Sequence, residues 1–452
     1  MKDIDLKHVR VALKNGGEIF VLDTGATITP ESEAMLQALH SRSVGGIRHH
    51  LEVLKEKGPE KFMSSFYVGY GHKSIGDCGT VTIFIEGVSM LAAKAVQDWA
   101  LYSGQESSTR YIDFSSQKFI NPAGNTDGEN ILEKWRSFYL KSLEPTKVHL
   151  RNLYPKNEDE DEKIYDKAIT ARAFDILRGF LPAGASTNLT WHTNLRQAAD
   201  KIAVLRHHPL EELRDIAECL EKALFEAYPS SFGHKKYDTT EEYNMAWSRE
   251  NTYFNLDKEY KDVEVLRDCI DLELLKENKG VLETRPIKTE LPKYLSELGT
   301  MQFGFMLDFG SFRDIQRHRA VTQRMPLLTS KFGFNPWYFK SIPPSIRDEA
   351  QLLIESQEEA VSKLKLSKVD SQYYLAMGYN LPNRLTGNLP SLVYLVELRA
   401  TRFVHPTLQR IAIRMASILE EKFSRFGLAL HLDKDPGRFD IKRGEHDITI
   451  KN

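Results

Sequence analysis

Late in the first half of the chain stands VLRHHPLEELRDIA, residues 204–217, and late in the second stands ELRATRFVHPTLQRIA, residues 397–412. Each runs Leu-Arg, then His-Pro, then an Arg shortly before an Ile-Ala pair on an amphipathic helix. The two segments lie close to half the chain apart. A repeat of that length points to duplication of a whole domain and away from a short solenoid. At roughly 100–200 residues per domain, 452 residues also favour two or more domains. The polar, aperiodic stretch 231–262 supplies a junction, which divides the chain into a domain at 1–235 and a second at 236–452.

Periodicity fills in both halves. GTVTIFIEG (79–87) is rich in Val, Ile, Thr and Phe and reads as a strand. Val88, Ala92, Ala95, Trp99 and Tyr102 then recur at helical spacing. Much of 130–228 reads as helix, with NEDEDEK (157–163) as a solvated loop. In the second half, Phe305, Phe309, Phe312 and Ile315 mark one helical face that delivers Arg317–Arg319 at its end. Residues 346–366, 389–403 and 406–423 read as further helices.

Composition removes several function classes. Hydrophobic residues make up 41% and charged residues 27%, an ordinary globular balance. The net charge of −2 gives no bulk electrostatic case for nucleic acid or an anionic membrane. No apolar run is long enough to span a bilayer. The start, MKDIDLKHVRVALKNGG, lacks the apolar core of a signal peptide. Cys78, Cys219 and Cys269 have no metal-type spacing; they read as buried small hydrophobes, and their scarcity fits a reducing cytoplasm. No metal site is expected.

Two stretches carry dense chemistry. In DIQRHRAVTQR (314–324), Arg317, His318 and Arg319 stand side by side after an apolar run. One reading is a solvated helix end, where cations favour the C-terminal dipole. The other is an anion site, where guanidinium forks hold phosphate oxygens and an anion stabilises the cluster. In YSGQESSTRYIDFSS (102–116), Glu106, Ser108 and Arg110 alternate, so an extended backbone sets them on one side. That suits a phosphate or nucleotide; it also suits a polar loop capped by serines. YGHKSIGDCG (70–79) is neither a phosphate loop nor a Rossmann fingerprint, and His72 alone fits a structural role.

Taken together these residues resemble the flavin-dependent thymidylate synthases. That family has an Arg-His-Arg triad, a Glu-x-Ser-x-Arg-Tyr segment, an upstream Gly-His-x-Ser stretch, then Arg-x-x-Leu-Pro, Trp-x-x-Asn-x-Arg and Leu-Arg. The first half matches with GHKS (71–74), QESSTRY (105–111), RGFLP (178–182), WHTNLR (191–196) and Leu205-Arg206, but DWA (98–100) replaces the triad. The second half has RHRAVT (317–322), Asn388 and Leu398-Arg399, but QRMPLL (323–328) replaces the Glu-x-Ser segment. The resemblance therefore implies two diverged copies of an α+β fold, each a small antiparallel sheet with long helices. It implies transfer of a one-carbon unit from methylenetetrahydrofolate to C5 of dUMP through FAD, with NADPH as reductant.

On the same footing, Glu106, Ser108, Thr109, Arg110 and Arg178 would hold the nucleotide from the first half, and Arg317 and Arg399 from the second. Arg317 and Arg399 would serve the reaction itself, Arg399 by polarising the pyrimidine. Arg317, His318, Arg319 and Thr322 would face the flavin, with His72, Asn194, Arg196 and Asn388 as further candidates. Arg206 matches the family position of Arg399 in the copy without a triad, which suits a structural role. Because the copies lack opposite parts, working sites are expected only where the first-half segment meets the second-half triad, in a homodimer forming a pseudo-tetramer. Two rival readings stay open. One is the same chemistry on another pyrimidine nucleotide, giving 5-methyl or 5-hydroxymethyl products. The other is a non-catalytic protein that binds nucleotide or flavin.

Overall fold

The structure, a computed structural model, describes residues 8–22, 28–42, 47–109 and 112–433. It is α+β, with small antiparallel sheets and long helices. The chain divides into two compact units, each built from two separate segments: 1–108 with 185–252, and 109–184 with 253–452.

The first unit holds a four-stranded sheet of β1 (His8–Ala12), β2 (Glu18–Leu22), β3 (Thr80–Ser89) and β4 (Ser186–Asn194), antiparallel and in that order. Val81, Ile83 and Ile85 of β3 are buried while their neighbours are not, the period-two pattern of a sheet with one covered face. β3 runs into the helix Met90–Gln97, where the Ser89 hydroxyl accepts from Ala92 N at 3.0 Å. This helix stops short of the expected Tyr102. The buried Lys201 ammonium donates to Ala95 O at 2.7 Å and Asp98 O at 2.8 Å, satisfying carbonyls that a further turn would have used. β4 runs into the helix Leu195–Leu205, and His208-Pro209 then leads to Glu211–Ala227. The stretch assigned to an aperiodic junction contains a 14-residue helix, Asp238–Asn251. Its side chains are mostly solvated, so no apolar stripe marked it.

The second unit repeats this order. Its sheet runs β5 (Glu264–Asp268), β6 (Thr300–Asp308), β8 (Asn380–Asn388), β7 (Thr322–Gln323), again antiparallel. Phe305 lies on β6 and not on the expected helix. Met301, Phe303, Phe305 and Leu307 are all buried, an alternation of period two that the longer Phe spacing masked. The helix itself is Phe309–Ile315, capped by the Asp308 carboxylate, which accepts from Ser311 N at 2.9 Å. β8 leads to Leu389–Arg399, and His405-Pro406 to Pro406–Phe423. The long helices Thr126–Leu153 and Arg347–Lys363 also belong here. Trp135 Nε1 donates to Tyr374 O at 2.9 Å, and Gln357 Nε2 to Ile131 O at 2.6 Å.

Among the described residues no helix is long and apolar enough to cross a membrane. The cysteines differ from the expectation of three buried thiols: Cys219 is buried, Cys78 half-buried and Cys269 exposed.

Candidate functional site

The Arg-His-Arg triad lies in the second unit, in the turn that follows the helix Phe309–Ile315. The turn points Arg317 and Arg319 outward and buries His318 between them. Asp314, one helical turn before Arg317, sits at the centre of the cations. Its Oδ1 lies 3.6 Å from Arg317 Nη2 and its Oδ2 lies 3.5 Å from Arg178 Nη2. Arg178 comes from RGFLP, in the turn after the helix Glu162–Leu177. Arg399, the last residue of its helix, donates through Nη2 to Asp314 O at 2.9 Å and through Nε to His318 Nε2 at 2.7 Å.

These contacts fix charge states. Burial pushes the Asp314 carboxyl up, but Arg178, Arg317, Arg399 and Arg313 hold it well below the ordinary carboxylate range. Burial and then Arg399, Arg319 and Arg317 push His318 down to about 3, so its ring is neutral at pH 7. Because a guanidinium, which can only donate, reaches His318 Nε2, that nitrogen is the acceptor and Nδ1 carries the proton. Burial disfavours the Arg178 charge, yet Asp314, Asp175, Tyr338 and Asp308 keep it cationic.

A second layer fixes Arg178. Tyr338 donates its hydroxyl to Asp308 Oδ2 at 2.7 Å and touches the Arg178 guanidinium. A Cβ on Gly179 would stand 2.5 Å from the Tyr338 ring, so the absence of a side chain there permits this approach. His405 spans Ser311 Oγ at 3.1 Å and Asp175 O at 3.1 Å, and burial pushes it down to about 4. Arg178 Nε is buried with no acceptor among the described residues. Arg178, Arg313, Arg317 and Arg399 act on Asp314, Arg319 acts on His318, and Asp175 and Asp308 act on Arg178. A cluster of guanidinium groups with one orphaned buried N–H has the donor chemistry an anion would need.

The other candidates are placed as follows. Residues 103–107 run extended along β4: His192 N donates to Ser103 O at 2.8 Å and Ser107 N to Asn188 O at 2.9 Å. The Glu106 carboxylate is buried in the first unit, 2.6 Å from Lys94 Nζ and 2.9 Å from Gln97 Nε2. Ser108 is half-buried and Thr109 buried; Arg110 lies outside the described residues. Asn194 and Asn388 each cap the helix that follows, accepting from Gln197 N at 2.8 Å and Ser391 N at 3.0 Å. Arg196 binds Asp77 at 2.7 Å and Asp200 at 3.5 Å. Arg206 is held by Glu221 at 3.0 Å and Glu241 at 3.1 Å. The His72 ring stacks on Tyr70, centroids 4.5 Å apart. Thr322 is exposed on β7. No group of three or more His, Cys, Asp or Glu among the described residues could hold a metal ion.

Sequence reading missed Asp314, Asp308 and Tyr338. Asp314 had a signal, a carboxylate three residues before Arg317. The other two had none.

Comparison with known proteins adds an independent line. Residues 27–230 match the family described as "Thymidylate synthase complementing protein". A "UPF0159 protein" of Chlamydia muridarum is 26% identical over 412 residues, covering 77% of this chain and 76% of its own. A UPF0159 protein of Chlamydia pneumoniae is 26% identical over 405 residues, covering 76% and 75%. "UPF0159 protein Ta1429" of Thermoplasma acidophilum is 24% identical over 466 residues, covering 87% and 92%.

Proposed function

We propose, from the match of residues 27–230 to the thymidylate synthase complementing family, that this chain is a flavin-dependent enzyme of dTMP synthesis. It transfers a one-carbon unit from methylenetetrahydrofolate to C5 of dUMP, with FAD as cofactor and NADPH as reductant. The observation that carries the proposal is the arginine cluster around Asp314, which joins Arg178 of the first half to Arg317 and Arg399 of the second.

The guanidinium groups gathered at Asp314 suit a nucleoside monophosphate dianion. Arg178 and Arg317 grip the phosphate, and the orphaned Arg178 N–H gains an acceptor. Arg399, held by His318 and Asp314 O, presents its remaining N–H to the pyrimidine and stabilises charge that develops on the ring. The donors fit a flavin as well: the His318 Nδ1–H is fixed by its tautomer, and Arg317 and Arg319 stand exposed beside it. A bound flavin supplies the carbon relay and the hydride; the protein orients and polarises. The chain acts as a cytoplasmic homodimer of two diverged tandem domains, 1–235 and 236–452. In it the 106–110 segment of one copy completes the site around the triad of another. Thr322, His72, Arg196, Asn194 and Asn388 belong to the flavin's surroundings; the two asparagines act there through the helices they cap.

One observation favours a related substrate. The Glu106 carboxylate is taken up by Lys94, so it is not free to read a ring N–H. That leaves room for another pyrimidine nucleotide.

Purified protein should be yellow with flavin absorbance. Product analysis with dUMP, UMP and dCMP identifies the acceptor: dTMP confirms the main reading, and a methylated or hydroxymethylated product from UMP or dCMP the related one. Protein that neither binds FAD nor turns over any of the three is the non-catalytic relative. Arg178→Ala should weaken nucleotide binding tenfold or more, a loss of about 1.5–3 kcal/mol for one charge-assisted bond. An unchanged dissociation constant removes Arg178 from the site.

A further inference from the structure

A cleft of about 400 Å³ opens in the second unit, and none of the arginine cluster lines it. Its size falls within the range that holds small organic ligands. Three lysines, all exposed, line it: Lys331, Lys365 and Lys368. Lys331 pairs with Asp257 on the rim. The other carboxylate in the wall, Glu358, is engaged by the Tyr379 hydroxyl at 2.8 Å. Lys365 and Lys368 have no carboxylate partner among the described residues. Hydroxyls of Thr329, Ser330 and Ser371 stand with them, and leucines, Val361 and Phe332 form the rest of the wall.

The backbone adds a second observation. Lys365 adopts φ +52°, the left-handed region that glycine or asparagine takes without strain after a helix such as Arg347–Lys363. A lysine held there carries a modest steric cost. The segment 327–332 is also the second half's counterpart of 108–113. Counting from 317–319 against 98–100, Ser108-Thr109-Arg110-Tyr111 falls on Leu327-Leu328-Thr329-Ser330, which overlaps the end of QRMPLL, and Lys331-Phe332 follow. Where one half keeps a strip with an arginine, the other lines a cavity with hydroxyls and lysines.

We propose that this cleft is a second binding site, for a multivalent organic anion, a phosphomonoester or polycarboxylate carried on a compact apolar or ring body. The ammonium groups and hydroxyls take the anionic end, and the apolar wall takes the body.

Pyridoxal 5′-phosphate serves as the probe, because it has a ring, a phosphate and an aldehyde that condenses with lysine amines. The full-length protein is incubated with it, reduced with borohydride and mapped by mass spectrometry. Lys331, Lys365 and Lys368 should be labelled ahead of the chain's other lysines. Protection by inorganic phosphate identifies a phosphomonoester site, and protection by citrate a polycarboxylate site. Labelling that follows exposure across the surface, with neither anion protecting, overturns the proposal. A Lys365→Gln, Lys368→Gln double variant, with unchanged melting temperature, should bind the probe at least tenfold more weakly by absorbance titration. Equal binding by variant and parent overturns it too.

Discussion

The decisive interactions at the residue scale are two buried ion pairs. Asp314 is shared among Arg178, Arg317, Arg399 and Arg313, so its loss would leave several cations facing one another. Lys94 and Glu106 neutralise each other directly, with side chains 0% and 2% exposed and Gln97 bonded to both. Removing one partner of a buried pair strands the other charge, whereas removing both with apolar replacements is close to neutral. Lys94→Met should therefore destabilise by about 3–5 kcal/mol in urea titration, and Lys94→Met with Glu106→Leu should recover most of it. A Glu106→Gln variant that changes nucleotide affinity with no loss of stability would contradict this. The sequence displayed Glu106 in an alternating polar strip, but its partner Lys94 stands on a neighbouring helix, and only the fold joins them. Asp314 was in plain view beside the triad. Its role depends on Arg178, far away in the chain, so spacing could not show it.

Elements with local signals were legible. Pro406–Phe423 begins and ends where its pattern does, because proline at the first helical position and an uninterrupted apolar stripe are local features. β3 was equally plain. The errors came where period two and period 3.6 overlap, as in Phe305 to Ile315, and where a helix has no apolar stripe, as in Asp238–Asn251. The turn Arg178–Phe180 shows what an element can demand of one residue. Gly179→Ala drives a methyl into the Tyr338 ring, which must move away from Asp308 and Arg178. The expected cost is about 1–3 kcal/mol of stability, together with weakened nucleotide binding. A variant as stable as the parent, with the same affinity, would show that the ring has room to yield.

For the whole molecule, the buried histidines set a pH limit. Burial, with nearby cations, pushes His208 and His318 to about 3 and His405 to about 4, so all three are neutral in the folded chain. In the unfolded chain a histidine titrates near 6.5. As pH falls below about 6.5 the unfolded state takes up protons that the folded state refuses, so stability declines toward pH 4. Each histidine contributes up to roughly 1.4 kcal/mol per pH unit within that window. The depressed Asp314 continues the decline below about pH 4. Urea midpoints measured between pH 7 and 4 should fall steadily; a flat profile would mean that these rings are protonated in place.

The interleaving of the two compact units bears on how the chain is made. The Trp135 indole finds its acceptor at Tyr374, 239 residues later. At about 5–20 residues per second, a ribosome needs roughly 10–50 seconds to deliver that partner. Throughout that interval Thr126–Leu153 can already pack on Glu162–Leu177, but the strip of it that meets Arg347–Lys363 and Tyr374 has no partner yet. Nascent chains of this protein are thus obliged to hold a sticky helix in reserve, which makes the growing polypeptide, more than the finished one, a client for chaperones.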